Sequence, residues 1–477
     1  LDQTQKPLVD ALQRHIESSP YSFHVPGHKN GQLLPEAFAS FQSLWAYDVT
    51  ELPGLDDLHE PSEAIAEAES LAADFYDVDR TYFLVNGSTA GNLAMILAAC
   101  EAGDRVLVQR NSHKSIMHGL QLAGVKPVFI APDYDEQTQR YSRISPQTVE
   151  QAFVHEPSIK AVVLTYPDYF GATYNLPDVV SIAHRYGAAV LVDEAHGAHF
   201  KISDHFPPSA VDCGADVVVQ SAHKTLPALT MGSWLHLQSS RVNEASLRFY
   251  LQMFQSSSPS YLIMFSLDLA RHTVANMTKA NLDRTLKHIA DFNRTINQWT
   301  DFDVMTVRQG VDDPLKTVIT SQDANLYDVL QWLHHHGIDV ELVDQHQLLF
   351  IHGLMMRDDE MFKRIQVVKD CLNTIPFESK HGKIDIKLTM NEPLIDLPYS
   401  YRELSQVSTE RVSWQDAVGR VAAQSFTPYP PGIPIILDGE PITSEAVTTI
   451  QQAMSAGIHI QTTAEKIEHG VEVYSIK

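Results

Sequence analysis

A lysine placed just beyond an apolar strand is the first residue of this chain equipped for chemistry. Lys224 stands in QSAHKTLPALTMGS, directly after the run DVVVQS (216–221), which would deliver it to the carboxyl edge of a sheet, where open α/β sheets bind ligands. A plain surface lysine is the alternative, but Ser221 three residues earlier, His223 beside it and an aspartate-ending strand upstream set it apart. A lysine amine partly desolvated beside another cationic group is easily deprotonated and attacks a carbonyl to form a Schiff base. Asp193 closes the strand AAVLVD (188–193). A carboxylate in that place either caps a helix or holds a proton on the nitrogen of an aromatic ring. Gly87, Ser88 and Thr89, in FLVNGSTAGNLAMIL, put a strand, a small polar turn and a helix in order, so that N–H groups, hydroxyls and the helix dipole converge on an anion. The spacing is neither GxGxxG nor GK[ST], so a single phosphate fits better than a dinucleotide or a nucleoside triphosphate. An aldehyde-reactive lysine, a ring-nitrogen carboxylate and a phosphate cup are together the requirements of pyridoxal 5'-phosphate (PLP), and PLP is the cofactor these residues predict.

The surrounding residues fit the same group. Ala195 is small enough for a flat ring to lie against the strand end, and His196 is within reach of the ring's phenolic oxygen or a substrate carboxylate; ordinary packing explains His196 equally well. Ser221 adds a hydroxyl for the phosphate. His113, in RNSHKSIMHGL after the second strand, is placed to stack on the ring face opposite Ala195, or else is a hydrogen-bonded loop histidine. Thr165, in LTYPDYFGATYN, stands where a strand end would face the same crevice.

The elements that must position these side chains alternate along the chain. Short apolar runs, TYFLV (81–85), RVLVQ (105–109), KPVFI (126–130), AVVLTY (161–166), AAVLVD, DVVVQS and SWLHLQ (233–238), are separated by helical stretches such as GNLAMILAACEAG and LPDVVSIAHRYG. Strands apolar on both faces with helical crossovers predict an α/β domain built on a mainly parallel sheet. Further strands near TVITS (317–321) and HQLLFIH (346–352) suggest a small second α/β domain, and the proline-rich stretch TPYPPGIPIIL marks a third. The expected division is an N-terminal segment 1–50, a large domain 51–290, a small domain 291–380 and a C-terminal domain 381–477.

Composition removes several classes. With 477 residues, 44% hydrophobic and 20% charged, the chain has the balance of a globular protein, and its formal charge of −24 has the wrong sign for nucleic acid or anionic lipid. The same field attracts cations, though solvation alone also accounts for an acidic surface. Cys100, Cys213 and Cys371 are widely spaced, so neither a disulfide framework nor a metal site is written here. No apolar run approaches the ~20 residues that cross a bilayer, and the polar, amphipathic start LDQTQKPLVDALQRHIESS lacks a leader's pattern; a cytoplasmic, unprocessed protein is expected.

Taken together, FHVPGHKNG, LDDLHEP, NGSTAGN, RNSHKS, VLVDEAHGAH, SAHKTLPALTMGS and YPPGIPIILDGE resemble, in order, the motifs of the Orn/Lys/Arg decarboxylase family, from about residue 20 to beyond residue 440. The resemblance implies the aspartate-aminotransferase fold (fold type I), with a large PLP domain, a small domain and a C-terminal domain. It also implies a homodimer with active sites at the subunit interface, in the short form that lacks the N-terminal wing of the long enzymes. By the same resemblance Lys224 is the Schiff-base lysine, Asp193 the partner of the ring nitrogen, His113 the stacking residue, and Ser88, Thr89 and Ser221 the phosphate ligands. Two departures stand out: His196 replaces a tryptophan of the long enzymes, and the usual PGE reads Asp438-Gly439-Glu440.

The expected reaction is decarboxylation of arginine, lysine or ornithine, with His223 or Lys224 returning a proton to Cα. An aminotransferase or lyase of the same fold is the rival within PLP chemistry, and a non-catalytic regulatory protein the rival outside it. A substrate cation needs a carboxylate in a partly desolvated pocket. Glu440 with Asp438 is the candidate pair, and Asp56 and Asp57 of LDDLHEP are the next acids to consider.

Overall fold

The computed structural model describes residues 1–376, 392–428, 433–455, 457–462, 467 and 470–476. The boundary expected near residue 380 and residues 429–432 of the proline-rich run lie outside the described residues. The chain forms two compact units, 1–99 with 189–279 and 100–188 with 280–477.

In the first unit four strands stand in the order Arg80–Leu84, Ser233–Leu237, Val217–Gln220, Ala189–Asp193. Val217–Gln220 and Ala189–Asp193 run parallel, with Asp193 opposite Val219, so that both strands end at one edge. Ser233–Leu237 is antiparallel to both its neighbours, against the expectation of a parallel strand. The twelve residues between Gln220 and Ser233 hold only the four-residue helix Ala222–Thr225, without the full helix that usually covers a sheet face in a parallel crossover. Helix Gly87–Ala99 packs on this sheet. Gly91 lets it lie close, since a Cβ there would meet Leu84 Cδ1 at 2.7 Å and Val219 Cγ1 at 3.0 Å. The N-terminal helix Pro7–Glu17 is tied down by Asp268, whose carboxylate accepts from the Leu8 and Val9 N–H groups at 3.0 and 3.3 Å. Arg271, fully buried, pairs with Asp268 and donates to the Gln3 and Gln5 carbonyls at 3.0 and 2.7 Å.

In the second unit Ala161–Thr165, Arg105–Gln109 and Lys126–Ile130 are parallel, and Leu394–Asp396, a strand not evident from the sequence, joins Lys126–Ile130 antiparallel. A separate antiparallel sheet runs Asp303–Val304, Lys316–Thr320, Leu348–Ile351, Leu342–Val343, and its core includes Phe292, Ile319, Leu333, Leu348 and Ile365. Towards the C-terminus a further core gathers Trp414, Phe426, Ile436, Ile450 and Val473.

Candidate active site

Most of the sequence-selected residues lie in the first unit, at the edge where its two parallel strands end. Asp193, 4% exposed, is fixed through both carboxylate oxygens: Oδ2 accepts from Asn92 Nδ2 at 2.9 Å and Oδ1 from the Ala195 N–H at 3.1 Å. It does not cap a helix. Asn92 belongs to helix Gly87–Ala99, three residues beyond the small polar turn 87–89, and its hold on Asp193 was not anticipated although it lies within the NGSTAGN motif.

At the start of that helix Ser88 Oγ shares a hydrogen bond with Ser221 Oγ at 2.7 Å and donates to Ser233 Oγ at 3.1 Å, so three strand-end and helix-start hydroxyls cluster where first-turn N–H groups lack intrahelical acceptors. Ser233 is the member sequence reasoning missed. Thr89 is exposed on the same turn. Gly87 contributes through its conformation (φ +75°); its own N–H is occupied by the Met231 carbonyl at 3.0 Å, which corrects the expectation that this N–H faces the phosphate.

Lys224 Nζ is 3.1 Å from His196 Nε2, and His196 is 6% exposed. His223 Nδ1 meets the Gly232 carbonyl at 3.0 Å; a carbonyl only accepts, so Nδ1 carries the proton. Burial, with the Lys224 charge beside it, holds this imidazole below its usual pKa against the opposing pull of the Gly232 carbonyl. His223 is therefore predominantly neutral near pH 7.

Behind the strand ends lies a fully buried polar chain. Glu194 accepts from Ser209 Oγ at 2.8 Å, Gln220 Nε2 at 2.6 Å and the Ala210 N–H at 2.7 Å. Gln220 Oε1 meets His236 Nε2 at 3.0 Å, and His236 Nδ1 meets Thr81 Oγ1 at 2.8 Å. Burial pushes the Glu194 carboxyl up to about 8 despite those hydrogen bonds, and pushes His236 down to about 3.

The remaining candidates have other partners. His113, in the second unit, is exposed and caps helix Lys114–Ala123, its Nδ1 accepting from the Ser115 N–H at 3.2 Å. Glu440, 5% exposed, is held by Arg110: Oε1 by Nη1 and Oε2 by Nη2 at 2.8 Å, with the Leu437 N–H also on Oε2 at 2.8 Å. This corrects the expectation that Glu440 reads a substrate cation, since its charge is already neutralised in place. Asp438 accepts from Gln121 Nε2 at 2.7 Å. Asp56 accepts five backbone N–H groups, from Asp57, Ser62, Glu63, Ile65 and Ala66; burial raises its pKa, but these bonds outweigh it and leave the carboxyl below its usual value. It anchors the start of helix Ala64–Tyr76. Asp57 accepts from the His59 N–H at 2.8 Å. Among the described residues no group of three or more His, Cys, Asp or Glu is arranged to hold a metal ion, and no helix is long and apolar enough to cross a membrane.

The architecture is that of α/β enzymes of the aspartate-aminotransferase type. Lysine decarboxylase A from Pseudomonas aeruginosa matches it with a TM-score of 0.81 at 21% identity, over 99% of this chain and 80% of that one. The model of the Orn/Lys/Arg decarboxylase major domain matches residues 6–322 and that of the family's C-terminal domain residues 383–462, and the chain belongs to this family. It is 41% identical over 474 residues to the uncharacterized protein YaaO of Bacillus subtilis, covering 98% of each chain. It is 33% identical over 473 residues to an arginine decarboxylase of Bacillus anthracis, covering 97% of this chain and 95% of the other.

Proposed function

We propose that this protein decarboxylates a basic amino acid, arginine in the first place, using PLP bound covalently through Lys224. The observation that carries the reading is the doubly fixed, buried Asp193 at the same strand edge as Ser221 and the Lys224 turn. A carboxylate held in that way suits a protonated ring nitrogen, and the serine cluster at a helix start suits a phosphate, so the residues present fit the cofactor. When bound, the cofactor supplies an electron sink for the pair left on Cα as CO2 departs.

The protein's own groups have separable tasks. Lys224 holds the aldehyde end; Ser88, Thr89, Ser221 and Ser233 hold the phosphate; Ala195 lies against the ring. Asn92 and the Ala195 N–H keep Asp193 aimed. His196, in contact with Lys224 Nζ, orients the amine. Of the two proton donors considered, Lys224 is the better one for Cα, because a neutral His223 with its Nδ1 proton committed to a carbonyl has no second proton to give.

Arginine is favoured by the relatives named arginine decarboxylase in Bacillus anthracis and Bacillus subtilis, 33% and 30% identical, whereas the Escherichia coli inducible lysine decarboxylase and biodegradative arginine decarboxylase, 23% and 24% identical, do not distinguish the substrates. The reading includes a cytoplasmic homodimer, supported by almost fully exposed Tyr21 and Phe23 and by Phe249 and Met253 on one face of helix Glu244–Phe254. Incubation with arginine, lysine and ornithine, following CO2 and the amine formed, tests the function. Agmatine from arginine is expected. Cadaverine or putrescine alone would keep the reaction and overturn the substrate, and exchange with an oxo acid without CO2 would mark an aminotransferase.

A further inference from the structure

The acid next to Asp193 has no role in the proposed chemistry. Glu194 is fully buried, and its N–H donates to the Val219 carbonyl at 2.8 Å, extending the strand pairing by one residue. Successive residues of a strand face opposite sides, so Glu194 points away from Asp193. Burying a carboxyl is costly unless its lone pairs are met.

Three segments meet at this side chain. Its Oε1 accepts from the Ala210 N–H at 2.7 Å, and its Oε2 from Ser209 Oγ at 2.8 Å and Gln220 Nε2 at 2.6 Å. Gln220 ends strand Val217–Gln220 and leads directly into Ser221 and the Lys224 turn. The third segment is the acid's own loop. Gly197 folds back over the side chain: a Cβ there would lie 2.6 Å from Glu194 Cγ and 3.0 Å from Cδ, and the Gly197 N–H donates to the Glu194 carbonyl at 3.0 Å. The two residues between them stand at the site, since the Ala195 N–H holds Asp193 Oδ1 and His196 Nε2 is 3.1 Å from Lys224 Nζ. Tyr76 secures the far end of the loop. Its hydroxyl donates to the Ala198 carbonyl at 2.7 Å, and its ring centre is 4.3 Å from that of His236, the next member of the polar chain after Gln220.

We propose that Glu194 is a positioning residue, which clamps the loop 195–197 to the end of strand Val217–Gln220 and so sets Ala195 and His196 against the Ser221–Lys224 turn. The inference rests on the reading of Asp193 and Lys224 as cofactor residues. Its hydrogen bonds, not its charge, carry the role. A glutamine at this position keeps them if Gln220 turns its amide over and His236 takes its other tautomer, with Nδ1 donating to Thr81 Oγ1. A leucine keeps the bulk and loses all three bonds.

The test compares Glu194→Leu and Glu194→Gln as cofactor-loaded proteins at matched PLP content, by visible circular dichroism of the bound cofactor and by steady-state kinetics with arginine. Glu194→Leu is expected to lose most of the dichroism band and about tenfold or more in kcat, with KM little changed, since a misplacement of about 1 Å can cost about 10²-fold. Glu194→Gln is expected to keep the band and a kcat within about threefold of wild type. Ser209→Ala removes one of the three bonds and is expected to fall between them; it carries the comparison if Glu194→Leu does not fold. A wild-type band and kcat in Glu194→Leu, or in Ser209→Ala, would overturn the proposal, and so would a Glu194→Gln as impaired as Glu194→Leu. The band requires only bound PLP, so a wild type that decarboxylates no basic amino acid would refute the proposed reaction while the dichroism still decides the role of Glu194.

Discussion

At the scale of single residues, Asp193 and Glu440 are both buried carboxylates, and their surroundings give them opposite uses. Among the described residues Asp193 accepts from neutral donors, Asn92 and a backbone N–H, whereas Glu440 is already paired with Arg110. Asp193→Asn should keep PLP bound while kcat falls about 10²-fold, the effect of a ~3 kcal/mol electrostatic contribution. Near-normal kcat at matched PLP content would reduce Asp193 to a structural residue. Glu440→Gln should act on stability instead, since removing one partner of a buried pair costs about 3–5 kcal/mol, with KM little changed. A selective rise in KM would restore Glu440 to the substrate. Lys224, Asp193 and the Ser88 turn were legible because each sits at a strand end or helix start that the apolar runs already mark. Asn92 was hidden inside a helix, and the partner of Glu440 lies 330 residues away, a separation no local pattern encodes.

Among the elements, the apolar runs located the strands to within a residue or so: Arg105–Gln109 and Lys126–Ile130 coincide with RVLVQ and KPVFI. Direction was less legible, because Ser233–Leu237 is fully buried like the parallel strands and its antiparallel run shows only in the pairing and in a connection without a full crossover helix. The strands of the first unit are joined behind the site by Glu194, Gln220, His236 and Thr81, and this chain has a pH signature. The folded Glu194 carboxyl titrates at about 8, against 4.5 for an exposed group, so between these values the folded state holds a proton the unfolded chain has lost. Its effect is to lower stability as pH rises from about 4.5 to about 8, by up to ~1.4 kcal/mol per pH unit. Buried His236 acts in the opposite sense: the unfolded chain binds its proton below 6.5 and the folded state only near 3, so stability falls as pH drops through that interval. Glu194→Gln should therefore gain thermal midpoint relative to wild type as pH rises from about 5 to about 8. A difference independent of pH would mean that Glu194 is ionised in the folded protein throughout.

For the whole molecule, the charge of −24 bears on the substrate. If the amino acid carries a distal cation, kcat/KM should decline as salt is added, because screening removes long-range attraction. An uncharged, slowly processed analogue should not show this trend, and equal salt dependence for both would remove steering from the account. The claim on which the rest depends is that Lys224 carries the cofactor. Borohydride reduction of the PLP-loaded protein, followed by proteolysis and mass spectrometry of the labelled peptide, tests it most directly. The label is expected on the peptide containing Lys224 and absent from Lys224→Ala; a label on any other lysine, or none at full PLP occupancy, would contradict it.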